Sequence, residues 1–238
     1  VWLGAGTSGW LADRTLHAGA VSLSARGLAM HVDGSFGEGS LTTRLLGRFN
    51  AENSLVVIAC LLSLGASLAE ALRAMADCVP PPGRLEVIES EVPGKPMAVV
   101  DYAHTPDALA KALGALREHC GGLLWCVFGC GGDRDPGKRP LMGAVADELA
   151  DRIIVTDDNP RRENPELITR AIVSGIKSHP ARVINDRGAA IGAALGAAQA
   201  NDVVLIAGKG HEDYQIYGET RRSFSDRREA QRCLGIAA

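Results

Sequence analysis

No apolar run in this chain of 238 residues approaches the roughly 20 needed to cross a bilayer, and no charged-then-apolar start resembles a signal peptide. The chain is therefore read as cytoplasmic. An excess of one charge is also missing. The 25 Lys and Arg face 28 Asp and Glu, for a net charge of −3, and the cations are interleaved with acids rather than gathered in a basic run. That leaves no electrostatic footprint for nucleic acid. A cysteine framework is absent as well. Cys60, Cys78, Cys120, Cys126, Cys130 and Cys233 are irregularly spaced, mostly in apolar segments, and read as reduced thiols. Cys126 and Cys130 have no second pair to complete a zinc site. An initial Met is lacking, since the chain opens on VWLGAG. The Gly- and Ser-rich stretch to about Gly47 is expected to form short antiparallel strands, 28–32 among them, at the edge of a domain whose main body lies upstream.

The apolar fraction is 46%, ordinary for a globular chain, and the length suits one large or two modest domains. Two are expected. Residues 54–75 place apolar side chains at helical spacing, and the Gly65-Ala66-Ser67 break divides them into two helices, the second capped by Ser67. Pro80, Pro81, Pro82 and Gly83 cannot continue a helix, so the domain boundary is placed there, with residues 1–81 before it and 82–238 after it. Beyond Arg84, short apolar runs at 98–102, 123–128, 153–156, 182–184 and 203–207 alternate with candidate helices at 106–119, 139–149, 165–177, 188–199 and 226–234. That alternation predicts an α/β fold, an open, Rossmann-like, mostly parallel sheet with helices on both faces. Ligands of such sheets sit outside the carboxyl ends of the strands.

Four polar loops follow those strands. In IIVTDDNPRRENP (153–165) a buried strand gives way to Asp158, Asn159, Pro160 and Arg161, and Asn164 then caps a helix with Pro165 at its first position. Taken alone, this loop also reads as a solvated turn. In DYAHTPDAL (101–109), Thr105 and Pro106 start a helix and leave Asp101, Tyr102 and His104 at the strand end. Asp101 suits ribose hydroxyls, and His104 suits either a ligand or a capping and packing role. FGCGGDRDPGKRP (128–140) offers glycines that permit positive φ and expose N–H groups, with Arg134, Lys138 and Arg139 to answer a phosphate or carboxylate. It fits neither G-x-x-x-x-G-K-[ST] nor G-x-G-x-x-G. AGKGHEDYQ (207–215) adds Gly208, Lys209, His211, Glu212 and Asp213. Arg134 and Arg161 for carboxylates, with Asp158 and Glu212 for ammonium groups, suit a zwitterionic amino acid better than a polyphosphate alone. Arg162 and Glu163 read as a solvated pair.

GRFNAEN (47–53), PGRLEV (82–87), DYAHTPDAL, FGCGGDRDPGKRP, TDDNPR and AGKGHEDYQ, in this order, closely resemble the Mur ligases, and in particular their diaminopimelate-adding members. The resemblance covers nearly the whole chain. It implies an ATP-dependent, amide-forming ligase of peptidoglycan precursor synthesis, working on UDP-MurNAc-L-Ala-D-Glu through an acyl phosphate and acting as a monomer. It also implies that Arg134, Asp158, Asn159, Pro160, Arg161, Gly208 and Glu212 form the meso-diaminopimelate pocket. Asn50 and Asn53 would lie near the adenine, Arg84 near the phosphates, Asp101 near the ribose, and His104 on the nucleotide side. The family's G-T-x-G-K-T loop is not found, and GAGTSGW (4–10) does not supply it. Its modified lysine and Mg²⁺ ligands are not found either. Residues 1–81 are accordingly expected to be the tail of the central ATP-binding domain, and the piece to be inactive alone. Alternatives are a lysine-adding ligase of the same family, against which the Arg that ends DNPR speaks, and a binding module without catalysis; a Rossmann-type dehydrogenase would need G-x-G-x-x-G straight after a first strand with an acid about 20 residues on, and is set aside on the reading that neither is found.

Overall fold

The computed structural model describes residues 14–24, 27–88, 90 and 92–236. Two compact units meet in sequence between Val79 and Pro80. In the first, β1 (Leu16–Ser24), β2 (Gly27–Gly34) and β3 (Gly39–Thr43) form an antiparallel sheet in the order β1-β2-β3. Two helices follow, α1 (Phe49–Ser63) and α2 (Leu68–Ala76). The break between them falls at Gly65, and Ser67 caps α2 with a reciprocal pair: Glu70 N donates to Ser67 Oγ at 3.3 Å and Ser67 N donates to Glu70 Oε2 at 2.8 Å. Leu28, Met30, Val32, Leu55 and Ile58 anchor the core of this unit. The periodicity at α1 arises because Ala51, Leu55, Ile58 and Leu62 share its buried face.

The second unit carries β4 (Glu86–Ile88), β5 (Met97–Asp101), α3 (Pro106–Arg117), β6 (Leu124–Phe128), α4 (Lys138–Leu149), β7 (Arg152–Val155) and α5 (Pro165–Val173). It continues through β8 (Ala181–Val183), α6 (Arg187–Ala197), β9 (Val203–Ala207), β10 (Tyr214–Tyr217), β11 (Thr220–Ser223) and α7 (Asp226–Leu234). The main sheet runs β4-β5-β9-β6-β7-β8, parallel throughout except for the antiparallel edge strand β4. All five residues of β9 are buried, which is why that strand reads as a continuous apolar run rather than an alternation. Thr105 accepts from Ala108 N, and Asn164 accepts from Glu166 N at 2.8 Å, so both Pro-led helices start where the sequence marks them.

Two elements depart from the sequence expectation. Strand β4, just beyond the proline run, and the hairpin β10–β11 are not among the strands the sequence predicts. The hairpin's signal is present in YQIYGETRRS, an alternating run interrupted by Gly218, whose φ is 59°.

Candidate functional site

Strand order decides which loops meet. Strand β9 inserts between β5 and β6, with Asp101 and Phe128 both level with Ala207, and Phe128 level with Val155. The loops after β5, β9, β6 and β7 therefore emerge side by side at one edge.

The glycines of the β6 loop let the β7 loop approach. A methyl group on Gly132 would collide with Pro160 O, and one on Gly131 would meet Arg161 Nη1 at 2.8 Å and Arg134 Cγ at 3.6 Å. Neither glycine has a positive φ, and Gly132 N donates to Asn159 O at 2.9 Å, so this part of the turn serves as a packing surface for Pro160 and Arg161. Lys138 and Arg139 are likewise engaged within the protein. Lys138 Nζ donates to His104 O at 2.7 Å, and the buried Arg139 donates from Nη2 to Glu163 Oε1 at 2.8 Å and to Gly131 O at 3.3 Å. Glu163 is thus not the solvated partner of Arg162. Its hydrogen bond from Arg139 holds its carboxyl below the usual carboxylate range, against the opposing effect of burial and with help from the Asp133 amide. Arg162 instead lies 3.7 Å from the exposed Glu219.

The β10–β11 hairpin fixes the β7 loop from the other side. Ile216 N donates to Asn159 Oδ1 at 3.1 Å, Arg161 N donates to Ile216 O at 2.9 Å, and Gln215 Nε2 donates to Asp158 O at 3.0 Å. Tyr217 OH donates to Asp157 Oδ2 at 3.0 Å. Held this way, Arg161 adopts a left-handed backbone with φ 54°, unusual for a long side chain. Its Nη1 donates to Gly132 O at 2.8 Å and contacts Asn159 O at 3.4 Å. The Nε–Nη2 edge has no hydrogen bond among the described residues, and that edge is the fork that takes a carboxylate through two parallel bonds. Arg134 is exposed, and its Nη1 donates to Asp133 O at 3.1 Å.

Asp158, Asn159, Gly208 and Glu212 come together around a residue the sequence analysis left without a role, Lys209. Its side chain is fully buried, and Nζ lies 3.2 Å from each of Asp158 Oδ1, Asn159 Oδ1 and Glu212 Oε2. Asn159 Nδ2 also donates to Glu212 Oε2 at 3.0 Å. Gly208, with φ 118°, turns the chain beside Asp158; a methyl there would lie 3.4 Å from Asp158 Oδ2. Beneath this cluster a second buried pair, Arg187 and Asp226, meets at 2.7 Å, and Arg187 Nη2 donates to Ala207 O at 2.9 Å.

The residues expected on the nucleotide side are arranged differently. Asp101 Oδ2 accepts from Leu85 N and Oδ1 from Ala103 N, both at 2.8 Å. Burial pushes this carboxyl up, against the pull of those two amides and of Arg84. Its first task is to hold Leu85, whose φ is 44°, at the start of the unit. The Arg84 guanidinium lies 5.0 Å from the centroid of Tyr102, which stacks edge-on against His104 at 4.6 Å and lies 5.5 Å from His211. His104 Nδ1 sits 2.8 Å from Tyr102 O. An open cavity of about 450 Å³ lies alongside, lined by Pro82, Glu86, His211, Arg227 and Arg228 among others. Asn50 and Asn53 belong to the first unit, where Asn50 Nδ2 donates to Leu46 O at 2.8 Å and Asn53 Nδ2 to Asn50 Oδ1 at 3.0 Å.

Among the described residues no group of three or more His, Cys, Asp or Glu side chains could hold a metal ion. Burial pushes the Cys130 thiol up to about 12, and Cys126 is raised as well, as expected of inert core thiols. No helix among the described residues is long and apolar enough to cross a membrane. The string GAGTSG at 4–9 matches G-x-G-x-x-G letter for letter, against the reading that set a dehydrogenase aside for want of it. It lies, with GAGTSGW, outside the described residues.

The fold and loops define an α/β domain with a cluster of mixed charge at the carboxyl edge of a mostly parallel sheet. The family model for the Mur ligase, glutamate ligase domain matches residues 83–210, and the chain belongs to the Mur ligase family. It is 47% identical over 226 residues to the UDP-N-acetylmuramoyl-L-alanyl-D-glutamate–2,6-diaminopimelate ligase of Vibrio vulnificus (strain YJ016), covering 94% of this chain and 45% of that protein. A solved structure of a ligase of that name superposes with a TM-score of 0.76 at 39% identity, covering 94% of this chain and 46% of the other. Folylpolyglutamate synthase from Thermotoga maritima shares the fold alone, with a TM-score of 0.65 at 22% identity over 81% of this chain and 43% of that one. The chain spans a little under half the length of these relatives.

Proposed function

We propose that this chain is the amino-acid-recognising part of an ATP-dependent ligase that joins meso-diaminopimelate to UDP-MurNAc-L-Ala-D-Glu in the cytoplasm. ATP supplies a phosphoryl group that turns a peptide carboxylate into an acyl phosphate. The diaminopimelate amine then attacks the acyl carbon, an amide forms and phosphate departs. Residues 82–238 form the amino-acid-binding domain, and 1–81 are the end of the central ATP-binding domain. The phosphate loop G-T-x-G-K-T does not occur in this sequence, so the charge on a transferred phosphoryl must be met by groups outside it, and the chain alone forms no amide. Arg84, Asp101 and His104, with Asn50 and Asn53, serve the nucleotide. Arg84 and Tyr102 offer it an exposed cationic and aromatic surface. Asp101 keeps spare lone pairs for a ribose hydroxyl, although both oxygens already accept backbone amides.

The observation that supports this reading best is the Nε–Nη2 edge of Arg161, which makes no hydrogen bond among the described residues, on a guanidinium whose Nη1 meets Gly132 O and Asn159 O beside the Gly131 turn that also carries Arg134. Diaminopimelate differs from lysine by a carboxylate at the far end of its side chain, and a guanidinium fork is the partner such a group needs. Leaving that fork unmatched costs about 2 to 5 kcal/mol when well desolvated. This corresponds to roughly 30-fold to several thousandfold selectivity. Calorimetry on the chain should therefore show meso-diaminopimelate binding at least tens of times more tightly than L-lysine. Equal affinities would overturn the reading.

A further inference from the structure

Lys209 is a buried ammonium that the reaction does not call for. Its side chain is inaccessible, yet Nζ touches three groups on two loops: Asp158 and Asn159 after β7, and Glu212 after β9, each at 3.2 Å. A charge taken fully out of water is retained only where partners return the lost solvation. Here the partners are three of the side chains assigned to the ligand. We propose that Lys209 is a positioning and charge-setting residue for the amino-acid pocket, an internal counter-ion that locks Asp158, Asn159 and Glu212 into one register and leaves their acid pair a single net negative charge.

This inference rests on the function proposed above and deepens it. Without Lys209 two carboxylates would share one small region, both having been within 3.2 Å of the same nitrogen. They would repel each other and release Asn159, whose amide is aligned by Glu212 on one side and by Ile216 N on the other. With Lys209 in place, the acid pair answers one ligand ammonium while Arg134 and Arg161 remain for carboxylate. That balance suits an amino-acid centre and disfavours a ligand that presents cations alone. The charged and titratable groups that face this cluster include Asp158, Glu212, the Tyr214 ring of β10 at 5.5 Å from Nζ with Arg221 of β11 over the same ring, the Cys130 thiol after β6 within the field of Asp158, and Arg187 of α6, whose field reaches Asp158 and Glu212.

The test is Lys209→Met in the whole chain, which keeps the apolar stem and removes the charge. Binding of meso-diaminopimelate is read by calorimetry across neutral pH in buffers of different ionisation heat. Affinity should fall about tenfold to a hundredfold, the loss usual for a partner that orients ligand-touching groups. Affinity should also rise with pH, with a proton released on binding, because the uncompensated acid pair takes up a proton that the ligand ammonium must displace. A residue that only packs would lower stability and leave the pH profile flat, and that result overturns the proposal. If the single variant does not fold, Lys209→Met with Glu212→Gln removes the repulsion and should fold; failure of both would show that Lys209 supplies packing, and the proposal falls. Arg161→Ala is measured in parallel. If Arg161→Ala abolishes binding while Lys209→Met does not alter it, only this inference fails. If neither alters it, the pocket itself is misplaced.

Discussion

The two groups of loops at the edge of the main sheet are held in opposite ways. Around Asp158, Asn159 and Glu212 the side chains are mostly buried and tied to Lys209, to the β10–β11 hairpin and to one another. Around Arg84, Tyr102 and His104 the contacts are ring edges and a cation over a ring, largely open to solvent. A site that must tell diaminopimelate from lysine gains from fixed donors and acceptors, since a mismatched ligand then leaves a desolvated charge unpaired. A face that meets a nucleotide gains more from stacking and from cations that remain adjustable. Under the proposed function, preorganisation is concentrated in the loops assigned to the amino acid.

The strongest way to break the contrast is from below. Asp226→Ala leaves the fully buried Arg187 without its partner and should lower stability by about 3 to 5 kcal/mol in denaturant titration. Diaminopimelate binding should suffer with it, because Arg187 also fixes Asp157 O and Ala207 O, at the roots of two ligand loops. A loss near zero would show that the pair is dispensable.

A crossed pair of variants sharpens the same comparison. Arg161→Ala should weaken diaminopimelate binding by about 2 to 5 kcal/mol while sparing nucleotide affinity, and Arg84→Ala should do the reverse with a smaller effect of about 0.5 to 1 kcal/mol. Calorimetry with each ligand on each variant checks the pattern. Equal losses for both ligands would mean that the two loop groups act as one.

The smallest effect is one of pH. Glu163 is held below its usual range mainly by Arg139, so its contribution to stability is present above the unfolded carboxyl value of about 4.3 and is lost as pH falls through the lower folded one. Hydrogen exchange at the Asp133 amide, which donates to Glu163, should accelerate over that acid window. In Glu163→Gln the acid dependence should vanish.

Much of the α/β unit was legible in the sequence. Five parallel strands and their helices followed from apolar runs alternating with amphipathic ones, and Thr105, Asn164 and Ser67 marked helix starts by capping chemistry that is local to a few residues. The edge strand β4 was not legible, because three residues after a proline run carry no periodicity. Lys209, between two glycines, carries no local mark of burial. Its burial depends on Asp158 and Asn159, some 50 positions earlier.

The residue order by itself determined where the five parallel strands and their helices lie and which side chains stand at those strand ends, because periodicity, capping and the geometry of glycine and proline act over a few neighbouring positions. Only the tertiary structure decided that β9 slips between β5 and β6, that the Gly131–Gly132 turn receives Pro160 and Arg161, and that Lys209 is shared by two loops. Those outcomes depend on sheet order and on close approach between distant segments. Both are set by how whole elements pack, and no local pattern encodes that.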